Sequence, residues 1–181
     1  TGFEARLIGG ELGSEFVSFS DRLLCDRAIV CPTDNMASIA SSTNSLAMAA
    51  GWRWTIPLAN RCGVGYVYSS KYSSSDDARD ELTVSLGRDV EARAMQEIEL
   101  HIGRRAEPWV GNCIAVGLAA GFVEPLESTG IHMIQTAIEL LMDYFPDVHC
   151  VEPLQKKYNQ LIKDQFEEVV DFIQLHYLLS V

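Results

Sequence analysis

The stretch from Ile114 to Phe145 constrains the fold of this chain more than any other. An apolar run (Ile114, Ala115, Val116, Leu118) is interrupted by Gly117 and followed by Gly121, and then by Glu124-Pro125-Leu126-Glu127-Ser128-Thr129-Gly130. Behind it Ile134, Ala137, Ile138, Leu141 and Phe145 recur at helical spacing until Pro146 ends the run. The pattern predicts a strand over 113–118, a tight loop and the N-terminus of an amphipathic helix. The free N–H groups and positive dipole end of such a helix attract anions. A glycine there lets a ligand approach the backbone closely. The loop therefore reads as a holder for a small anion or an electron-rich ring beside an acidic side chain. Taken alone, the stretch reads more plainly as an ordinary helix start with Ser128 or Thr129 as N-cap. Glu127 is the carboxylate inside the loop, and such a group at the mouth of an apolar pocket works as an acid or a base. Glu124 is the alternative, and the sequence does not rank the two.

Upstream, Ala28–Cys31 reads as a short strand closed by Pro32, and the Ser-, Thr- and Asn-rich residues 33–45 read as a loop. Residues 51–58, GWRWTIPL, alternate with period two, so Trp52, Trp54 and Ile56 share one strand face and Arg53 and Thr55 the other. Pro57 suits a strand end. Residues 62–70 form a second strand with Val64, Tyr66 and Tyr68 on one face, and Ala59-Asn60-Arg61 suits a hairpin turn. A helix starts near Ser74 and ends at Gly87. Ile98–Ile102 alternates as a strand that stops at Gly103. A long helix covers roughly 153–177, with Tyr158, Leu161, Ile162, Phe166, Val169, Ile173 and Tyr177 on its apolar face. The order is mixed strands, helix, strands and two helices: α+β as it stands, or part of an α/β protein. It lacks the βαβ glycine fingerprint of a doubly wound unit.

Charge and cysteine content narrow the function classes. The net charge is −11 and no Lys/Arg block offers a phosphate-backbone footprint, which argues against nucleic acid. No apolar run is long enough for a membrane span. The five cysteines include no CxxC, and the four histidines (His101, His132, His149, His176) have no ligand at metal spacing, so neither a disulfide framework nor a metal site is expected, and the cytoplasm is the default setting. His176 reads as helix packing or as a cleft residue. Ser128 lacks a triad partner. The ends, Thr1-Gly2-Phe3 and Leu178-Leu179-Ser180-Val181, read as cuts through a larger protein, so residues 1–181 are expected to be one partial domain from its middle to C-terminal part.

Several motifs together resemble the flavin-dependent halogenases of the tryptophan halogenase type. They are Trp52-Arg53-Trp54-Thr55-Ile56-Pro57, Arg61-x-Gly63-x-Gly65-Tyr66-Val67-Tyr68-Ser69-Ser70, Gly103-Arg104, Trp109-x-x-Asn112-Cys113, the continuous run Gly117–Ile131, and Asp171-Phe172-Ile173-x-Leu175-His176-Tyr177. They stand in the family's order along nearly the whole chain. The resemblance implies a partial FAD-dependent aromatic-monooxygenase-like fold with a helical C-terminal part. It also implies halogenation of an aromatic substrate, such as tryptophan or another indole. Reduced FAD, oxygen and chloride or bromide would yield hypohalous acid, which would travel through a tunnel to a lysine beside the substrate.

Carried over by position, the backbone of Thr129 and Gly130 would bind the halide, and Glu127, neighboured by Ser128, would serve at the substrate end. Gly117, Leu118, Ala119 and Gly121 would approach the flavin, with Thr1-Gly2 as the tail of a second flavin-contacting segment. Trp52, Trp54, Ile56 and Pro57 would line the route between flavin and substrate, and Tyr177 would reach the substrate pocket. The family's GxGxxG, its essential lysine and its Arg- and Trp-containing segment beyond Tyr177 are not among these residues. A flavin reductase is the implied partner, and a homodimer is compatible. A related flavin hydroxylase and a non-catalytic paralogue are the competing readings; the first usually carries Gly-Asp-Ala-Ala where this chain has Gly117-Leu118-Ala119-Ala120.

Overall fold

A computed structural model of the chain describes residues 2–34, 40–87, 95–147 and 151–179. The expectations for Thr1, for residues 35–39 of the predicted loop, and for His149 and Cys150 lie outside the described residues. In chain order the elements are β1 (Phe16–Ser18), β2 (Arg27–Thr33), β3 (Asn44–Met48), β4 (Gly51–Pro57), β5 (Cys62–Tyr68), α1 (Ser75–Leu86), β6 (Gln96–Glu99), β7 (Gly103–Arg105), β8 (Trp109–Val110), β9 (Cys113–Ile114), β10 (Gly121–Phe122), α2 (Thr129–Asp143) and α3 (Val151–Leu179). They form two compact units, Leu24–Leu100 and Thr1–Leu23 with His101–Val181.

The Leu24–Leu100 unit is an antiparallel sheet in the order β3-β4-β5-β2-β6, covered by α1. The alternation in GWRWTIPL does what its period demands. Trp52 and Trp54 lie opposite Val67 and Gly65, while Arg53 lies opposite Tyr66. Tyr66 and Tyr68 therefore turn to the other face, where they bury with Ile29, Val64, Ala78 and Leu82. Tyr66 donates its hydroxyl proton to Glu81 at 2.8 Å, and Arg53 reaches the Ser85 carbonyl at 2.7 Å on the same α1 side. The two tryptophan rings are tilted at 55° with centroids 5.9 Å apart. Gly65 makes their seat: a Cβ there would fall 1.9 Å from the Trp54 ring. The predicted hairpin forms, with Leu58 N–H donating to the Arg61 carbonyl at 2.9 Å. Ser74 caps α1 by accepting from the Asp77 N–H, and Gly87 ends it in the left-handed region (φ 63°).

Three expectations for this unit need correction. Pro32 does not close β2, which continues to Thr33; the ladder with β6 stops at Val30, so Pro32, which has no N–H, stands where β6 offers no carbonyl that needs one. Part of the predicted 33–45 loop belongs to β3, a solvent-facing edge strand whose residues are mostly exposed and so carry no alternation. Ile98–Ile102 is not one strand: β6 ends at Glu99, and Gly103, expected as a stop, begins β7.

In the other unit, β7 pairs antiparallel with β1 and β10, and β8 and β9 form a hairpin through Gly111 at φ 57°. The predicted 113–118 strand is much shorter. Gly117 adopts φ 64° and accepts from the Ala120 N–H at 2.8 Å, which turns the chain into a 3-10 turn, Gly117–Ala119, before β10. α2 stops at Asp143, so Phe145 lies beyond it and is exposed. α3 buries Tyr158, Ile162, Phe166, Val170 and Ile173. Val170 takes the place expected for Val169, because the packed stripe advances by four residues rather than three at that turn.

The N-terminal part of α3 grips Trp109. Asn159 accepts from its backbone N–H at 2.8 Å, Gln155 donates to its carbonyl at 2.7 Å, and Tyr158 packs edge-on at 5.5 Å. Farther along, Arg22 donates to Glu167 at 2.7 Å and to Asp171, and Gln174 accepts from it. Although α3 has 29 residues, no described helix is long and apolar enough to cross a membrane.

Burial pushes the Tyr158 phenol up to about 12. An acid whose folded pKa is raised stays neutral while the unfolded chain ionises. Its contribution to stability is thus complete below the ordinary value of about 10 and drains away as pH rises toward 12. The full-length protein is expected to lose stability across that window, and Tyr158→Phe is expected to flatten the slope, as followed by circular dichroism against pH.

Candidate functional site

The motif between β10 and α2 makes a turn that its residue types do not favour. Glu127 sits at φ 62°, ψ 9° and Ser128 at φ 56°, ψ 34°, two consecutive left-handed residues, neither of them glycine. Each costs about 1–2 kcal/mol relative to the right-handed region. Pro125 initiates the turn, and its carbonyl accepts from the Ser128 N–H at 3.0 Å. α2 begins at Thr129. The ordinary helix-start reading places Ser128 or Thr129 as a capping side chain; Ser128 does occupy the N-cap position, but its side chain makes no cap.

The two carboxylates that sequence could not rank are separated by their surroundings. Glu124 is fully buried, and Tyr177 donates its hydroxyl proton to it at 2.5 Å. Glu127 has a side chain 51% exposed, with one oxygen 3.3 Å from His176 Nε2. Its left-handed backbone swings it out of the path of the chain while Thr129 and Gly130 enter the first turn of α2. There the leading N–H groups have no intrahelical acceptor, and no acidic side chain occupies that turn. The Thr129 hydroxyl is buried and has no hydrogen-bond partner among the described residues. A buried hydroxyl beside the positive end of a helix suits an anion.

A largely apolar cavity of about 300 Å³ adjoins this turn. It is lined by Gly117, Leu118 and Gly121, by Ser128 and Gly130, and on its far side by Phe166 of α3. Ala119 lines a smaller cleft with Phe3 and Phe122 and packs against the buried Ala5 and Ile8. The Gly2–Glu4 turn packs against Gly117–Ala119, so Gly2 and the Gly117 turn are neighbours in space. An added Cβ at Gly2 or Gly130 would meet no atom within 4 Å. Both glycines are exposed, so the space beside them is open. Gly121 differs, because β7 and Phe166 already fill the place of its missing side chain. Tyr177 meets Glu124, and His176, read from sequence as packing or cleft lining, meets Glu127. No periodicity signals either contact, since the partners lie about fifty positions apart and on a loop. Trp52, Trp54, Ile56 and Pro57 belong to the Leu24–Leu100 unit, where Trp52 is buried and Ile56 is exposed.

The family model for tryptophan halogenase matches residues 1–181. The tryptophan 7-halogenase RebH of Lentzea aerocolonigenes is 38% identical over 183 residues, covering 99% of this chain and 34% of its own. The tryptophan 6-halogenase SttH of Streptomyces toxytricini is 41% identical over 181 residues, covering 98% of this chain and 35% of its own. The SttH crystal structure superposes with a TM-score of 0.92 at 40% identity, over 98% of this chain and 35% of that one. A second flavin-dependent halogenase structure, BrvH from Brevundimonas sp. BAL3, superposes at 0.90 with 40% identity, over 97% of this chain and 36% of that one. The chain therefore has the mixed α/β architecture of these enzymes and spans about a third of their length; it belongs to the tryptophan halogenase family.

Proposed function

We propose that the full-length protein is a flavin-dependent halogenase that chlorinates or brominates tryptophan or another indole. It would use reduced FAD delivered by a separate flavin reductase. The observation that carries this reading is the Glu127–Ser128 turn. It sets a half-exposed carboxylate beside a helix N-terminus that holds a buried hydroxyl with no partner among the described residues. When bound, reduced FAD supplies the two electrons that convert oxygen and halide into hypohalous acid. Thr129 and Gly130 hold the halide through their backbone N–H groups. Gly117, Leu118 and Ala119, with Gly2 beside them, border the flavin and exclude water with their apolar surface. Glu127 takes the ring proton released as the carbon–halogen bond forms, while Ser128 borders the same space. Trp52 and Trp54 present a tilted aromatic pair of the kind that walls a flat group.

The test is a mass-spectrometric assay with the full-length protein, a flavin reductase, FAD, NADH and chloride or bromide, over a panel of tryptophan and simple indoles. A product with the halogen isotope pattern is expected. An oxygenated product instead, or flavin reoxidation with every arene recovered unchanged, would overturn the reading.

A further inference from the structure

Two adjacent residues at the C-terminal end of α3 reach the strained turn from one side. Tyr177 donates to Glu124 at 2.5 Å, and His176 Nε2 lies 3.3 Å from Glu127 Oε1. The two carboxylates bracket Pro125 and Leu126, so the helix end grips the turn before and at its first left-handed residue. Packing alone does not fix Glu127, because its side chain is half exposed. Two consecutive left-handed residues relax unless neighbours over-determine them.

The imidazole is itself held. His176 Nδ1 lies 2.9 Å from the Phe172 carbonyl, and the ring stands edge-on to Phe172 at 4.7 Å and 83°. A carbonyl only accepts, so Nδ1 carries the hydrogen. Nε2 then faces a carboxylate oxygen, and the contact is attractive only with one proton between them. Either an imidazolium meets a carboxylate or an imidazole meets a carboxylic acid. The groups facing the ring are Glu127 from the turn and the Phe172 carbonyl from its own helix.

We propose that His176 is a positioning residue for Glu127: it aims the carboxylate and, together with Tyr177, clasps the strained turn. The part that concerns product formation rests on the halogenase reading above; the clasp does not.

The experiment uses the full-length protein with His176→Phe, which keeps the ring packing, and His176→Gln, which keeps a side-chain donor. Backbone hydrogen exchange at Ser128, whose N–H is bonded to the Pro125 carbonyl, measured without flavin or substrate, is expected to rise about tenfold in His176→Phe and to stay within about twofold of wild type in His176→Gln. In bromination of tryptophan, His176→Phe is expected to lower kcat about tenfold with KM within about twofold, and His176→Gln to recover most of it. In a Glu127→Gln background the His176→Phe loss should vanish, because His176 acts through that carboxylate. Unchanged exchange in His176→Phe would sink the clasp. An equal kcat loss in both backgrounds would sink the positioning role. Full bromination by Glu127→Gln alone would instead remove the catalytic reading of Glu127, with the exchange result still deciding the clasp.

Discussion

Replacing Glu127 with glutamine in the full-length protein is expected to cut formation of the halogenated product by about 10²–10³-fold while flavin binding stays unchanged. That loss corresponds to about 3–4 kcal/mol of transition-state stabilisation. Glutamine keeps the length and shape of the side chain but cannot take a proton from the ring. The site is half exposed, and the substitution leaves the backbone conformation open to the same turn, so folding is not the quantity under test. Steady-state kcat by mass spectrometry, with flavin affinity by fluorescence, separates the two effects. Wild-type turnover in Glu127→Gln would exclude this carboxylate from the chemistry and turn attention to Glu124, whose burial against Tyr177 gives it a different setting.

Gly121→Ala carries the second large effect, of about 3 kcal/mol in stability. A Cβ at this position would lie 2.5 Å from the Gly103 carbonyl oxygen and 2.7 Å from both the Arg104 Cα and the Phe166 ring. Two of these three atoms are β7 backbone and cannot rotate aside. β10 must then separate from β7, or Phe166 must leave its place on α3. The melting temperature of the flavin-free full-length protein should fall by several degrees. An unchanged melting temperature together with lost flavin affinity would show that Gly121 is needed for cofactor approach rather than for packing.

The parts of the fold that the sequence made legible are those where one physical signal dominates. β4 and β5 follow from period-two alternation, since Trp52 and Trp54 turn one way and Tyr66 and Tyr68 the other. α1 follows from a serine cap and a terminal glycine. β3 was hidden because an edge strand open to solvent has no buried face to impose alternation. The break between Glu99 and Gly103 was hidden because strand ends depend on the partner, and the β2 ladder reaches only as far as Glu99. At the candidate site, the glycines and the helix start were readable. The left-handed pair was not, because glutamate and serine do not advertise positive φ as glycine or asparagine would. The contacts from Tyr177 to Glu124 and from His176 to Glu127 were also out of reach, since they join a helix end to a loop through tertiary structure alone.

α3 is a ruler as much as a packing element. At about 1.5 Å per residue its 29 residues measure about 43 Å. Along that length Gln155 and Asn159 fix Trp109, Ile162 and Phe166 wall the cavity, Glu167 and Gln174 hold Arg22, and His176 and Tyr177 meet the two glutamates. A single residue inserted after Asn159 would turn every later side chain by about 100° around the axis. His176 and Tyr177 would then point away from both carboxylates, although no residue of the turn had changed. Even a four-residue insertion, which restores the face, would slide them about 6 Å past their partners. Whoever redesigns this scaffold can trade the exposed side chains of the helix, but its length between Gln155 and Tyr177 is a fixed gauge.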